Sequence, residues 1–262
     1  MFEFQIAVSE KDKKVLNRLC EDLKSSTAGV KTIITSYQQG GKAFVVIACD
    51  DLERPRVSFA ICDVISDIIS TFYKLEFIEN NLALPISNQV NLSAFKKALI
   101  AFDRETDKYI ISRSLKIENT IYLDEFFQFR LKQLRNKWME IIKLANDNAS
   151  YLLCNDTFID LLKFLIDNIE ISRGTVNVVK KAGKFILCDE DFNEIDESSN
   201  PLCELDERAK EDEVGLISSL IALSPKKIVV YCNPFENSPA LTLISQIFES
   251  RISILPAEKN GL

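Results

Sequence analysis

Apolar and polar positions alternate where the chain begins. Phe2, Phe4 and Ile6 fall on one side and Glu3 and Gln5 on the other, the two-residue period of a half-buried strand. Ser9 then stands as a helix cap with Asp12 three residues on, and Val15, Leu16, Leu19 and Leu23 mark one face of the helix that follows. Two runs rich in β-branched residues, Val30 to Tyr37 and Lys42 to Cys49, flank Gln38-Gln39-Gly40-Gly41 and predict a hairpin. Residues 1–55 therefore read as a β-α-β-β unit.

From Pro55 the period becomes helical. Val57, Ile61, Val64, Ile68, Phe72 and Leu75 recur at three- and four-residue steps, and Asp63 and Asp67 in the same stretch argue against a membrane span. Pro85 and Asn88 mark a break, and a second helix is predicted over 92–113. A short apolar link, 117–123, leads into the longest predicted helix, 124–153. Its Phe127, Leu131, Leu134, Trp138, Ile141, Ala145, Ala149 and Leu152 approach a heptad seam, read here as packing within the chain. Asn155-Asp156-Thr157 caps a further helix at 158–169. Residues 56–171 thus form a predicted helical bundle.

The pattern changes again after residue 171. Thr175, Val176, Val178 and Val179 predict a strand, Ala182-Gly183 a turn, and 184–188 the returning strand. An apolar helix at 214–223 stops near Pro225, and a buried-type strand (228–231), a helix (239–248) and a strand (252–255) follow. Such alternation predicts a small α/β layer over 172–262. The fold class is α+β. Joining the two β regions in one sheet would relieve the marginal stability of a hairpin with a single extra strand.

Composition narrows the chemistry. The 262 residues include no histidine, which removes Ser-His-Asp and Cys-His catalysis, histidine bases and His-ligated zinc. A chain of this length buries roughly 75% of its unfolded surface and needs no staples. Seven glycines are few for a phosphate-cradling loop, and only Gly40-Gly41 lie close together. The net charge of −7 is concentrated in residues 189–213, which hold twelve acids and two bases (Arg208 and Lys210). Outside that segment the charges nearly balance, a poor electrostatic footprint for general DNA binding. The seven cysteines (20, 49, 62, 154, 188, 203 and 232) are odd in number and contain no CxxC. Together with an opening Met1-Phe2-Glu3-Phe4 that starts no signal peptide, they predict free thiols and a cytoplasmic location.

No motif carries catalysis. Asp189-Glu190-Asp191-Phe192-Asn193 begins like a calcium loop, but its sixth and twelfth positions are Glu194 and Asn200 rather than glycine and glutamate. Ser-x-x-Lys occurs at Ser93/Lys96 and Ser224/Lys227, no more often than chance gives. No metal, cofactor or catalytic residue is expected. Arg130, Lys132, Arg135 and Lys137 interleave with Phe126, Phe127, Phe129 and Trp138. That pattern suits an anion, partner or nucleic-acid surface, or an amphipathic helix with its aromatics inside; Asp124, Glu125 and Glu140 dilute its charge. Arg130, beside the apolar stripe, is expected to lay its stem on the core and meet a carboxylate or helix-end carbonyls.

Three blocks in this order carry a resemblance. The first is Asp124-Glu125-Phe126-Phe127-Gln128-Phe129-Arg130-Leu131, the second Thr157-Phe158-Ile159-Asp160-Leu161-Leu162-Lys163-Phe164-Leu165-Ile166, the third Ser218-Ser219-Leu220-Ile221-Ala222-Leu223-Ser224-Pro225. From about Leu123 onward the chain resembles the YtxC-like sporulation proteins of endospore-forming bacteria. The family pattern at the first block is a glycine followed by F-x-x-F-R-L, matched by Phe126, Phe129, Arg130 and Leu131 with Glu125 in the glycine's place. At the second, Lys163 replaces an arginine; at the third, Ser218, Leu220, Ile221 and Pro225 match and Ser224 replaces an alanine. The resemblance implies a sporulation-linked protein of unassigned biochemical activity, brings no catalytic residues, and implies structural roles for the matched positions.

The expected function is a non-catalytic interaction protein with a protein partner and no nucleic acid. Two alternatives stand beside it. One is a small-ligand binder or enzyme using the C-terminal layer, near Asn233 and the start of the Pro239 helix. The other is nucleic-acid or anion contact through the basic helix at 124–153. Mutual repulsion among the acids predicts that 189–213 is the most mobile internal stretch. Limited proteolysis of the folded protein should cut there first; initial cuts within 124–153 would contradict this.

Overall fold

The computed structural model describes residues 1–84, 89–117, 119–148, 155–181, 184–197, 200–204, 213–232 and 238–256. Strand β1 (Phe2–Ser9), helix α1 (Lys13–Ser26) and strands β2 (Thr32–Gln39) and β3 (Lys42–Cys49) come first. Helix α2 (Arg54–Ile68) passes through a π-helical turn, Ile69–Tyr73, into α3 (Lys74–Asn81). Then follow α4 (Gln89–Ala101), α5 (Arg104–Ser114), strand β4 (Thr120–Tyr122) and the short α6 (Leu123–Glu125), which enters a second π-helical turn, Phe126–Arg130. Helices α7 (Lys132–Asp147) and α8 (Asn155–Asp167) lead to strands β5 (Arg173–Lys181) and β6 (Lys184–Cys188). Helices α9 (Pro201–Glu204) and α10 (Glu213–Leu223), strand β7 (Pro225–Cys232), helix α11 (Pro239–Ile247) and strand β8 (Ile252–Pro256) complete an α+β fold.

The chain packs as two compact units, each discontinuous in sequence. One comprises Met1–Asn81 with Glu105–Ile142, the other Leu82–Arg104 with Lys143–Leu262, so the predicted helical middle is shared between them. The two β regions stay in separate sheets.

In the first unit the strand order is β2-β3-β1-β4, with β4 parallel to β1 and the other pairs antiparallel. Gly40 and Gly41 close the β2–β3 hairpin at φ of 60° and 77°, where a Cβ would be strained. The alternation seen in the sequence holds: Phe4, Ile6 and Val8 of β1 and Val45 and Ile47 of β3 are buried in one core with Leu19, Leu23, Ile61 and Ile65. Against this core, bonded to its Trp138, lies a buried charge. Asp107 of α5 has no exposed surface, and its carboxylate accepts from Lys74 Nζ and Lys137 Nζ, both at 2.7 Å, and from Trp138 Nε1 at 2.9 Å. Lys74 also sits 5.5 Å over the Trp138 ring. Helices α3, α5 and α7 are thus joined at one point.

In the second unit the order is β6-β5-β7-β8, with β5, β7 and β8 parallel and β6 antiparallel to β5. Val176, Val178, Ile228 and Val230 are buried, as are Leu162, Leu220 and Ile244 of the accompanying helices. Parallel strands joined through helices need this continuous apolar character.

Several local expectations are corrected. Asp12, not Ser9, occupies the N-cap of α1, and its side chain makes no capping bond. The predicted helix over 92–113 is two helices, because Asp103 adopts a positive φ of 55° between α4 and α5. The apolar link contains strand β4. The helix predicted from residue 124 is interrupted by the π turn and by Leu131 at φ −100° and ψ 30°. Ala149 and Leu152 of the proposed seam, and residues 198–199 and 205–212 of the acidic segment, lie outside the described residues.

Two stability predictions follow from the buried polar groups. Asp107→Asn should cost about 3–5 kcal/mol, since it leaves the buried Lys74 ammonium, and the partly buried one of Lys137, without their carboxylate; a loss under about 1 kcal/mol in a denaturant titration would refute that account. Ser224, buried at a φ of 38° between α10 and β7, has a hydroxyl with no hydrogen-bond partner among the described residues. Ser224→Ala should therefore raise stability by about 1 kcal/mol, read as a higher denaturation midpoint.

Candidate functional site

Strand β4 delivers the chain into α6 and the second π-helical turn, and the inner side of that turn is fixed by aromatic packing. Phe127 lies 5.1 Å from Tyr73, 6.5 Å from Phe77 and 5.9 Å from Trp138 between ring centroids. The Tyr73 hydroxyl donates to Asp124 Oδ1 at 2.7 Å. Burial, and then the Asp124 carboxylate, push that hydroxyl's pKa far above the usual tyrosine range. Arg135 stacks 5.6 Å over Phe127 and donates through Nη2 to the Gln128 carbonyl. Phe126 and Leu131 point into the core at 9% and 1% exposure.

The outer side of the turn is different. Phe129 is 71% exposed and Arg130 is exposed beside it. Among the described residues Arg130 has no hydrogen-bond or ion-pair partner, so the expected carboxylate or helix-end contact is not made. Phe129 lies two residues beyond the inward-held Phe127 and so falls on the opposite side of the turn.

Phe129 and Arg130 line a cleft of about 230 Å³ with Phe126, Ile121, Tyr122, Glu125, Ser114 and Lys116. Two of its polar groups are already engaged. Ser114 Oγ donates to the Ile110 carbonyl, and Glu125 accepts from Lys42 Nζ at 2.5 Å. Burial acts against the charged form of Glu125, but the Lys42 contact holds its carboxyl below the usual range. Lys42 also lies 4.8 Å over the Tyr122 ring. Lys116 and Arg130 remain as exposed cations without a partner among the described residues. Tyr122 extends the apolar surface across the open face of the sheet: it meets Phe44 edge-on at 6.3 Å over the small Ala7, and Phe44 stacks on Tyr37 at 4.8 Å. The cleft offers apolar walls and two cations, with no activated nucleophile or general base. It suits recognition of an acidic, partly apolar group.

The other candidate positions divide clearly. Lys132 is exposed and without a partner among the described residues, whereas Arg135 and Lys137 are used by the fold itself. Ser218, Leu220, Ile221 and Pro225 are buried in the second unit, with Ser218 Oγ 3.4 Å from Ser93 Oγ. The start of the Pro239 helix is capped by its own Ser238, which accepts from the Leu241 N–H; Asn233 lies outside the described residues. Asp189 is committed to its own loop, accepting from the Asn193 and Asp191 N–H groups, which lower its pKa. Among the described residues no three metal-ligating side chains converge and no helix is long and apolar enough to cross a membrane. The six described cysteines are free. Sequence reading missed Ser114, Lys116 and Tyr122, which reach the cleft only through the placement of α5 and β4.

Neither the curated proteins nor the solved structures contain a match to this chain. The family model for the YtxC-like family matches residues 57–253, from the start of α2 to the opening of β8. The match takes in all three sequence blocks, begins well before the first of them, and spans most of the chain. On that extent of match, the chain belongs to the YtxC-like family.

Proposed function

We propose that this protein acts in the cytoplasm of the sporulating cell as a non-catalytic interaction protein, and that it holds a protein partner at the cleft formed by Phe129 and Arg130. Membership of the YtxC-like family supports the link to sporulation. The observation that carries the interaction reading is the pairing of a 71%-exposed Phe129 with an Arg130 that has no partner among the described residues. Aromatic and arginine side chains together are the usual anchors of protein interfaces. The absence of histidine and the engagement of Ser114 and Glu125 within the fold support a binding role over a bond-making one. The alternative of anion receipt at the Pro239 helix has less support, since Ser238 already caps it.

Capture from sporulating cells with the tagged full chain tests this reading. Phe129→Ala and Arg130→Ala should each weaken recovery of the partner about tenfold or more, equivalent to about 1.4 kcal/mol, with the melting temperature unchanged. A double variant that recovers the same proteins as wild type would overturn it. Binding of a single-stranded oligonucleotide that is lost in these variants would favour the nucleic-acid alternative through Arg130 and Lys132.

A further inference from the structure

Strand β2 is an edge strand without the charges, proline or bulge that commonly keep edges apart. It lies at the end of its sheet, and among the described residues no strand flanks its other side. Its eight residues pair one-to-one with β3, without a bulge. Thr32 to Gln39 includes no charged residue and no proline. The other edges are managed. β4 has three residues, β8 has five and closes on Pro256, and Leu187 of β6 already receives the Ile195 N–H. Long, uncharged and flat edges are the ones that recruit another strand.

The register says which groups are open. Gln39 and Lys42 flank the two-residue turn, so bonded and non-bonded pairs alternate back from there: Ile33, Thr35, Tyr37 and Gln39 face β3, and the N–H and C=O of Ile34, Ser36 and Gln38 point outward. The same alternation carried through the sheet aims the Gln5 N–H at β4, where it bonds the Asn119 carbonyl, and the Glu10 N–H at the hairpin, where it bonds the Gly41 carbonyl. On the open face, Ile33 is 69% exposed and Tyr37 39% exposed.

We propose that β2 pairs antiparallel with β2 of a second copy of this chain, about a twofold axis at Thr35, to make one continuous sheet. The strand is complementary to itself in that register. Ile34 and Thr32 bond Ser36 and Gln38 of the partner subunit through their outward backbone groups. Ile33 then lies against Tyr37 of the partner subunit in the closer, non-bonded kind of pair, an aromatic against a β-branched side chain. No like charges meet, since Lys31 falls opposite the partner's Gln39. Shifting the axis to Ser36 would set Ile33 against Gln39 and lose the apolar pair. One strand from each copy makes a small interface, so the dimer dissociates on dilution.

Sedimentation velocity of the full chain across a dilution series tests this, with a dimer at high concentration as the expected result. Ser36→Pro removes an outward N–H and leaves the β3 ladder its bonds, and should give a monomer with unchanged far-UV circular dichroism. Thr35→Lys sets two ammonium groups opposite each other and should weaken the dimer at least about tenfold. It is exposed, and decides the question if Ser36→Pro fails to fold. The axis is tested by oxidation: Thr35→Cys should cross-link to itself beyond the wild-type background, since the non-bonded Cα spacing of about 4.5 Å falls within disulfide reach, and Ser36→Cys should not. A wild-type monomer throughout the series, or a dimer equally strong in the folded variants, would overturn the proposal.

Discussion

The buried Asp107 carboxylate is the interaction on which the first unit depends. A charge without exposed surface is tolerated only when neighbouring donors replace water, and Lys74, Lys137 and Trp138 do so from two other helices. Its consequences extend beyond electrostatics. Holding Trp138 by its indole N–H fixes the ring against which Phe77 and Phe127 pack. Phe127 in turn touches Tyr73, within the other π-helical turn. The inner side of the turn at Phe126–Arg130 is therefore set by a chain of contacts that begins at Asp107. Phe129 and Arg130 are presented outward because Phe127 is held inward.

The elements most legible in the sequence were those whose period matched their burial. Strand β1 alternates because only one face of its sheet meets the core, and the hairpin is marked by two adjacent glycines that both take a positive φ. The failures have specific causes. Residues 92–113 read as one helix because the break at Asp103 uses a positive φ without the glycine that normally signals it. Strand β4 is three residues long, too short for any period, and it exists because β1 offers it a parallel neighbour. The π turn was hidden by the seam itself. Phe127, Leu131, Leu134 and Trp138 keep helical steps while the backbone between them widens by one residue.

The candidate site was only half legible in the sequence. Phe126, Phe129, Arg130 and Leu131 form one run in sequence, and in an uninterrupted α-helix Phe126 would share a face with Phe129 and Arg130. The structure divides the run into a buried pair and an exposed pair. Among the four bases, Arg135 and Lys137 are drawn into the fold by Phe127 and Asp107, and Arg130 and Lys132 are left over. No local pattern distinguishes these outcomes, because they depend on groups far along the chain.

An exposed phenylalanine alone would mean little, since single apolar side chains are common on protein surfaces. What gives Phe129 weight is its setting. It stands on the open side of a π-helical turn and shares a cleft wall with Phe126, Ile121 and Tyr122. Beside the ring stands a guanidinium that has no partner among the described residues. Local packing explains why the turn can exist, through Phe127 and Tyr73, but not why its outer residues are an aromatic and an arginine rather than small polar groups. The proposed binding role would account for both, since an aromatic ring and a guanidinium together can anchor a partner's surface.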